Sequence, residues 1–322
     1  MSAKKIQELK PLLAERMKKL LPDKNDFSSF LEILKKPTQN SIRVNKLKIS
    51  SEELKFRLEK KGWTINQPFK NHPEIMIIEN ELSPGELGRS LEHLFGYYYV
   101  QEIASMLPVL TLKPKHHEAI LDLCAAPGSK TTQIASEMKN TGTIIANDVN
   151  IGRISILAAN LERCGVSDAI ITRKQGFEFC RKLKEHGFSF DKVLLDAPCS
   201  GEGTLRSSPA TYLMWNIKSI KNLSNIQKSL IKSAIELLKP NGELVYSTCT
   251  HAPEENEEVI DFALKKFENI KIESVKLPVK CREGVANWEN KTYVSDVKKS
   301  CRIYPQDNNT EGFFLAKLRK VK

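Results

Sequence analysis

The sequence predicts an α/β fold: a mostly parallel seven-stranded sheet with helices on both faces, preceded by a small N-terminal α+β module. Three observations carry this prediction. From about residue 100 onward, short apolar runs rich in Ile, Leu and Val alternate with helical stretches, the pattern of strands joined by crossover helices. One of those runs, ILDLC, passes directly into a turn of small residues, AAPGSK, that opens a helix. Residues 1–100 have a different rhythm, so the chain is divided into 1–100 and 101–322.

Taken in order, residues 1 to about 36 read as helical, with Leu12, Leu13, Leu20, Leu21, Phe30, Leu31 and Leu34 at the apolar positions. Lys36-Pro37-Thr38 breaks that pattern. NSIRVNKLKI reads as a strand. SSEELKFRLEKKGW reads as a helix that starts at Ser50 or Ser51 and carries glutamates in its first turn. EIMIIE reads as a further strand. Such a β-α-β unit suits a small RRM-like module that touches RNA, and equally a lid that only packs on the larger domain. In the second part strands are read at EAILDLC, GTIIAND, DAIITR, FDKVLLDA, GELVYST, NIKIESVK and GFFLAKLRK, with helices at 131–139, 151–164, 219–239 and 254–268. Ligands of such sheets sit beyond the carboxyl ends of the strands.

Composition narrows the function. The 322 residues are 40% hydrophobic and 28% charged, as in soluble globular chains. No apolar run is long enough to span a bilayer, and the lysine-rich start lacks the apolar core of a secretion signal. A cytoplasmic monomer is expected. Lysine plus arginine number 50 against 39 acids, a net charge of +11 that suits a polyanionic partner. Seven cysteines with no CxxC pair and no Cys/His cluster at zinc spacing argue against a disulfide framework and a metal site.

The AAPGSK turn lets backbone approach a ligand closely, and its helix start offers free N–H groups. No GxGxxG is present, and Ser129 separates Gly128 from Lys130, so neither a dinucleotide fingerprint nor a Walker loop is formed. The next strand ends in Asn147-Asp148, where a carboxylate can hold both hydroxyls of an adenosine ribose; Asp148 can also cap the following helix. Arg153, one turn into that helix, faces the site or solvent. Two cysteines lie at strand ends, Cys199 in DAPCSG and Cys249 in STCT. Their polar turns mark them as reactive thiols. Cys124, Cys164, Cys180, Cys281 and Cys301 lack that setting and are expected to pack.

DLCAAPGSKT, LLDAPCSGEGTLR and YSTCTHAPEENEEVI, with SIRVN, LFGYYYVQEIASML and RIYPQDNNTEGFFLAKL, resemble the Nop/Sun (Fmu-like) family of RNA cytosine-5 methyltransferases over most of the chain. The likeness is to the archaeal-type tRNA enzymes of the family that lack a PUA domain. The resemblance implies a class I (Rossmann-like) methyltransferase domain over 101–322, S-adenosyl-L-methionine as cofactor, and RNA as partner, with tRNA favoured over rRNA. It implies Cys249 as the thiolate that attacks carbon 6 of cytosine and Cys199 as the group that aids release. The cytosine DNA methyltransferases use the cysteine of the Pro-Cys turn as nucleophile instead. Asp196 is expected to hydrogen-bond the base, and Lys130 to favour the thiolate or contact phosphate. Cofactor contacts are expected from Cys124, Ala125, Ala126, Pro127, Gly128, Ser129, Lys130, Asp148, Arg153 and Asp196. Gln175 stands where many relatives place an aspartate against the adenine.

The target base must be unpaired or flipped out. The lysine-rich first 60 residues, Arg43, Arg206 and the tail KLRKVK are candidates to grip RNA. Tyr97, Tyr98 and Tyr99 offer either a stacking face or a domain-joining core. Two other functions compete. One is an RNA-binding assembly factor with a vestigial cofactor site, against which both cysteines and the full turn speak. The other is an amino-nitrogen methyltransferase, which would carry a Pro-Pro-aromatic turn in place of DAPCS.

Overall fold

Two sheets organise residues 9–322, the part of the chain that the computed structural model describes. Residues 1–8 of the expected N-terminal helix lie outside the described residues. The remainder of that stretch forms two helices, α1 (Pro11–Leu20) and α2 (Lys24–Leu34). Pro22 cannot continue a helix, and Asp23 restarts one by accepting a hydrogen bond from the Asp26 N–H at 2.8 Å. Leu13, Met17, Leu21 and Phe30 bury against Leu205, Trp215, Ile220 and Tyr304 of the large domain.

The small sheet consists of β1 (Asn40–Val44), β2 (Ile65–Asn66), β3 (Ile75–Ile78) and β4 (Tyr98–Val100), in the order β2-β3-β1-β4 and antiparallel throughout. Helix α3 (Ser51–Lys60) covers it. Ser50 is its cap, accepting from Glu53 N at 3.1 Å. Leu54 and Leu58 pack with Ile42, Val44, Met76 and Tyr98. Two four-residue helices, α4 (Glu86–Arg89) and α5 (Leu91–Leu94), precede β4, and α6 (Ile103–Leu112) comes after it.

The large sheet carries all seven expected strands. Five are parallel: β5 (Ala119–Asp122), β6 (Thr143–Asp148), β7 (Ala169–Arg173), β8 (Phe190–Asp196) and β9 (Leu238–Thr248). The other two are β10 (Ile270–Glu273) and the last strand, Phe313–Lys320. Two short strands join them, β11 (Arg282–Glu283) and a three-residue strand at Cys301–Ile303, while β12 (Asn287–Trp288) and β13 (Lys291–Thr292) make a separate hairpin. With the strands at Cys301–Ile303 and Phe313–Lys320 named β14 and β15, the sheet runs β11-β14-β15-β9-β8-β5-β6-β7, and β10 also pairs with β15. Alternation along each strand supplies both cores. Leu121, Val193 and Tyr246 face one side; Ile120, Leu194 and Val245 face the other. Helices α7 (Ser129–Met138), α8 (Ile151–Cys164), α9 (Gly176–Glu185), α11 (Ile217–Glu236) and α12 (Glu257–Lys266) cover the faces, with short α10 (Pro209–Met214) and α13 (Pro305–Asn308) in loops.

The structure departs from the sequence expectations at several places. Helices α6 and α9 are additional to the helices expected; in α9 Cys180 is buried, with Phe179 and Leu183 packed against the core beside it. Cys281 and Cys301, expected to pack as free thiols, form a disulfide with their Cα atoms 5.3 Å apart. Pairing of β11 with β14 sets Glu283 opposite Cys301 and so brings Cys281 to its partner's side; a spacing of 20 residues carries no such signal. Arg43, a candidate RNA contact, is 2% exposed and donates to the Ser129 carbonyl at 2.7 Å and Thr132 Oγ1 at 2.8 Å, as well as to Gln101. It joins the small sheet to α7.

Candidate active site at the carboxyl edge of the sheet

β5, β6, β8 and β9 all end at one edge, and each delivers part of the site. After β5 the chain turns through residues 123–128. The turn is pinned by hydrogen bonds from Ala125 N to the Asn147 carbonyl and from Gly128 N to the Ala125 carbonyl, both 2.8 Å. Gly128 caps α7 with φ +104°, a backbone angle that requires glycine, and a Cβ there would also press on Leu157 Cδ1 at 2.9 Å. Behind the turn Asp122 accepts from Thr131 Oγ1 at 2.7 Å, and burial pushes its carboxyl up to about 7.

At the end of β6, Asp148 is 3% exposed. It accepts from the backbone N–H groups of Asn150 (3.0 Å) and Ala126 (3.3 Å), and its Oδ2 is 3.4 Å from Arg153 Nη1. The cap of α8 is Asn150, which accepts from Arg153 N at 3.1 Å. Asp148 is therefore not needed as the helix cap. Arg153 also donates to the Ala126 carbonyl, so it faces the site.

At the end of β8, Asp196 accepts from Ser247 Oγ at 2.7 Å and pairs with Lys130 Nζ at 2.7 Å. Lys130 is largely buried, donates to Ser105 Oγ at 3.0 Å, and lies 5.7 Å from the centre of the Phe313 ring. The sulfurs of Cys199 and Cys249 are 3.3 Å apart. Contact with Cys249, then burial, holds the Cys199 thiol well above its ordinary range, so Cys199 keeps its proton. Backbone around both is welded. Gly203 N donates to the Cys249 carbonyl and Gly312 N to the Gly203 carbonyl, each at 2.9 Å. Glu255 accepts from Ser200 N at 3.0 Å and Gln227 Nε2 at 2.9 Å; burial pushes its carboxyl up to about 7.

Two cavities meet at these residues. One of about 1080 Å³ is lined by Asn147, Asp148, Gln175 and Phe177 among others, and one of about 560 Å³ by Ala125, Ala126, Pro127, Ser129 and Lys130 among others. Cys124, Arg153, Asp196, Ala197 and Cys249 line both. Every site residue singled out in the sequence thus lies on these two cavities, except Gly128, which shapes the turn. The larger cavity has the volume for a nucleoside joined to an amino acid, with a buried carboxylate at a strand end where a ribose would lie. An adenosine-containing cofactor fits.

The structure also adds residues to which the sequence assigns no role. Glu102 and Glu311 line the smaller cavity with Cys249. In sequence, NTEGFF stands out only as part of a longer motif; an acid just before a strand is too common to mark a site. Arg206, a candidate RNA contact, instead donates to the carbonyls of Pro37 (2.7 Å) and Thr310 (2.8 Å) and to Asn309 Oδ1 (2.9 Å), tying three loops together. Tyr98 is fully buried in the small domain, and Tyr99 stacks with Arg43 and Arg163, so two of the three tyrosines serve the core and the domain junction.

Comparison with known proteins gives a consistent picture. Residues 109–319 match the family model described as 16S rRNA methyltransferase RsmB/F, and residues 9–103 match the N-terminal domain of 16S rRNA methyltransferase RsmF. The chain is 45% identical over 310 residues to the tRNA (cytosine(49)-C(5))-methyltransferase of Pyrococcus abyssi, covering 96% of each. It is 40% identical to the ribosomal RNA small subunit methyltransferase F of Vibrio parahaemolyticus, over 95% of this chain but only 62% of that protein. Among solved structures, a methyltransferase homolog from Pyrococcus horikoshii superposes with a TM-score of 0.79 at 34% identity, covering 97% of this chain and all of that one. NSun6 from Pyrococcus horikoshii, solved with SFG, superposes with a TM-score of 0.81 at 27% identity, over 98% of this chain and all of that one.

Proposed function

Because the chain belongs to the RsmB/F family and is an RNA cytosine-5 methyltransferase that uses S-adenosylmethionine, we propose that its substrate is tRNA and that Cys249 attacks the target base. The observation that carries the mechanism is the pair of sulfurs, 3.3 Å apart, where the two cavities meet. The preference for tRNA is supported by the higher identity to the tRNA-directed relative, 45% over 310 residues, than to the rRNA-directed one, 40% over 309.

S-adenosylmethionine supplies an electrophilic methyl group. Asp148 would hold its ribose, Gln175 would meet its adenine, and the 124–130 turn would receive its amino-acid end. Arg153, with its side chain 50% exposed, is free to give way to the ribose hydroxyls. Cytosine enters the smaller cavity. Carbon 5 of cytosine is too weak a nucleophile unaided, so the Cys249 thiolate bonds to carbon 6 and turns the ring into an enamine. Lys130 and Asp196 lie beside the adduct and stabilise its charge. Once carbon 5 carries the methyl group, a base takes its proton, the electrons of that C–H bond re-form the 5,6 double bond, and the carbon–sulfur bond breaks to free the Cys249 thiolate. Cys199, beside the departing sulfur, aids this release. We further propose that residues 1–100 contact RNA while 101–322 carry the chemistry, and that the enzyme is a cytoplasmic monomer.

Labelled S-adenosylmethionine and a tRNA transcript test this directly. Label should appear in wild type and vanish in Cys249→Ala. Cys199→Ala should accumulate a protein–RNA adduct that survives denaturing electrophoresis. Label in wild type no higher than in Cys249→Ala would favour an RNA-binding protein without activity, and an adduct formed by Cys249→Ala in place of Cys199→Ala would exchange the two roles. Bisulfite mapping of the product names the cytosine.

A further inference from the structure

We infer that Glu311 reads the exocyclic amino group of the target cytosine, and so is the residue that separates cytosine from uracil. The inference rests on the proposal that the smaller cavity receives the target base.

Glu311 is 5% exposed and lines the smaller cavity together with Cys249, Asp196, Lys130 and Phe313. Its nearest donor is Ser207, whose hydroxyl and N–H pull on the carboxyl, but neither carboxylate oxygen makes a well-formed hydrogen bond among the described residues. That is expensive for a buried acid, which ordinarily finds a donor. Its neighbour Glu102 shows the contrast. One Glu102 oxygen accepts from Glu311 N at 3.0 Å, and the other accepts from Ala104 N at 2.7 Å and Ser105 N at 3.3 Å. Glu102 is satisfied by backbone and has a structural task. Glu311 has only the weak contact of Ser207 at the cavity wall, so a group that fills the cavity can supply its better donor.

The backbone fixes where Glu311 sits relative to the thiol. β15 pairs with β9 in the register Phe314 opposite Thr248, which carries the chain at Phe313 alongside Cys249. Gly312, next to Glu311, bonds to Gly203, which bonds to Cys249. Both glycines are forced: a Cβ on Gly203 would lie 2.1 Å from the Gly312 carbonyl oxygen, and one on Gly312 would lie 2.3 Å from His251 Nε2. Strand spacing of about 5 Å and a rise of about 3.3 Å per residue put the Glu311 and Cys249 Cα atoms roughly 8 Å apart. That is a span across which a pyrimidine held at carbon 6 can present its opposite edge.

That edge decides the chemistry. Cytosine offers an amino donor beside the N3 acceptor, and a carboxylic acid offers an acceptor beside a donor. Uracil places a carbonyl oxygen where the amino group stands; an ionised, acceptor-only carboxylate accepts from the amino group and repels that carbonyl, whereas a protonated acid pairs with either base. Burial, with the Glu102 charge adding to it, pushes the Glu311 carboxyl up to about 7 against the pull of Ser207 and Arg206. Near neutral pH the ionised form is present beside the protonated one, and it is the ionised form that tells the amino group from a carbonyl. Asp196 already accepts from Ser247 and Lys130, which leaves Glu311 the less committed of the two acids on this cavity.

The test measures Kd by fluorescence anisotropy in a Cys249→Ala background, where no bond to the base forms. Transcripts carry cytosine, pyrimidin-2-one (which lacks only the amino group) or 2′-deoxycytosine at the mapped position. With Glu311 present, cytosine should bind about 10–100-fold tighter than pyrimidin-2-one. Glu311→Leu should reduce that ratio to about 1 by weakening cytosine alone, and Glu311→Gln, which still offers an acceptor and a donor, should restore most of it. A ratio unchanged in Glu311→Leu overturns the inference, as does equal weakening of both transcripts. A loss that tracks the 2′-deoxy transcript instead would assign Glu311 to the ribose and overturn the amino-group reading. Methylation of tRNA by the unmodified enzyme alongside any of these negative results would sink the role of Glu311 alone; no methylation at all would sink the functional proposal and this inference with it.

Discussion

Replacing Arg302 by methionine should cost the large domain at least about 4 kcal/mol. Arg302 lies on β14 and is 2% exposed. Its Nε and Nη2 each donate to Glu257 at 2.6 Å, and its Nη1 donates to the His251 carbonyl at 2.9 Å. Methionine keeps much of the aliphatic volume but leaves a fully buried carboxylate with Val285 N, at 3.0 Å, as its remaining hydrogen-bond donor. Breaking one side of a buried ion pair costs about 3–5 kcal/mol, and depriving the His251 carbonyl adds about 1–3 kcal/mol. With a urea slope of about 3 kcal/mol/M, the unfolding midpoint should fall by roughly 1 M or more. Arg302→Met/Glu257→Leu should recover most of that loss, because the stranded charge is gone. Since His251 lies two residues beyond Cys249, methylation should fall while S-adenosylmethionine binding, built on Asp148 across the sheet, stays. A midpoint shift under about 0.3 M, or a double variant as unstable as the single one, would refute the reasoning.

Four further outcomes are expected. Asp148→Ala should weaken S-adenosylmethionine about 10-fold or more by calorimetry, since hydrogen bonds to a charged group contribute about 1.5–3 kcal/mol each; unchanged affinity would remove the ribose role. Gly203→Ala puts a Cβ 2.9 Å from the Cys249 carbonyl oxygen as well as into Gly312, and overpacking of about 1–3 kcal/mol should appear as a kcat loss larger than the loss in cofactor binding. Arg43→Met should lower Tm by several degrees through loss of the small-sheet contact with α7; weaker RNA binding at an unchanged Tm would instead make Arg43 an RNA contact. Burial raises the Glu255 carboxyl from its unfolded value near 4.5 to about 7, so the folded state holds a proton that the unfolded chain has released. That stability is fully present below about pH 4.5 and is lost as pH rises through about 7. Chemical denaturation of Glu255→Gln between about pH 5 and 8 should show a flatter loss than wild type, and identical slopes would contradict the assignment.

Much of this is legible without coordinates. The seven strands can be read because β-branched and apolar runs announce themselves within a few residues. So can the Ser50 cap, the break before β1 and the turn before α7, each a matter of neighbours in sequence. Asp148, Asp196, Cys199 and Cys249 can be assigned to one edge because parallel strands all end on the same side. What sequence cannot decide is which of several chemically equivalent options each side chain takes. Arg43 and Arg206 carry the same charge as any RNA-binding arginine, and only the docking of the small sheet and the loops around 37 and 310 spent their donors on carbonyls. Cys281 and Cys301 became partners through the pairing of β11 with β14, and Glu311 came beside Cys249 through the pairing of β15 with β9. Local periodicity is written in residues up to about four apart, whereas these contacts join segments 20 to 170 residues apart and exist only once strand order has brought them together.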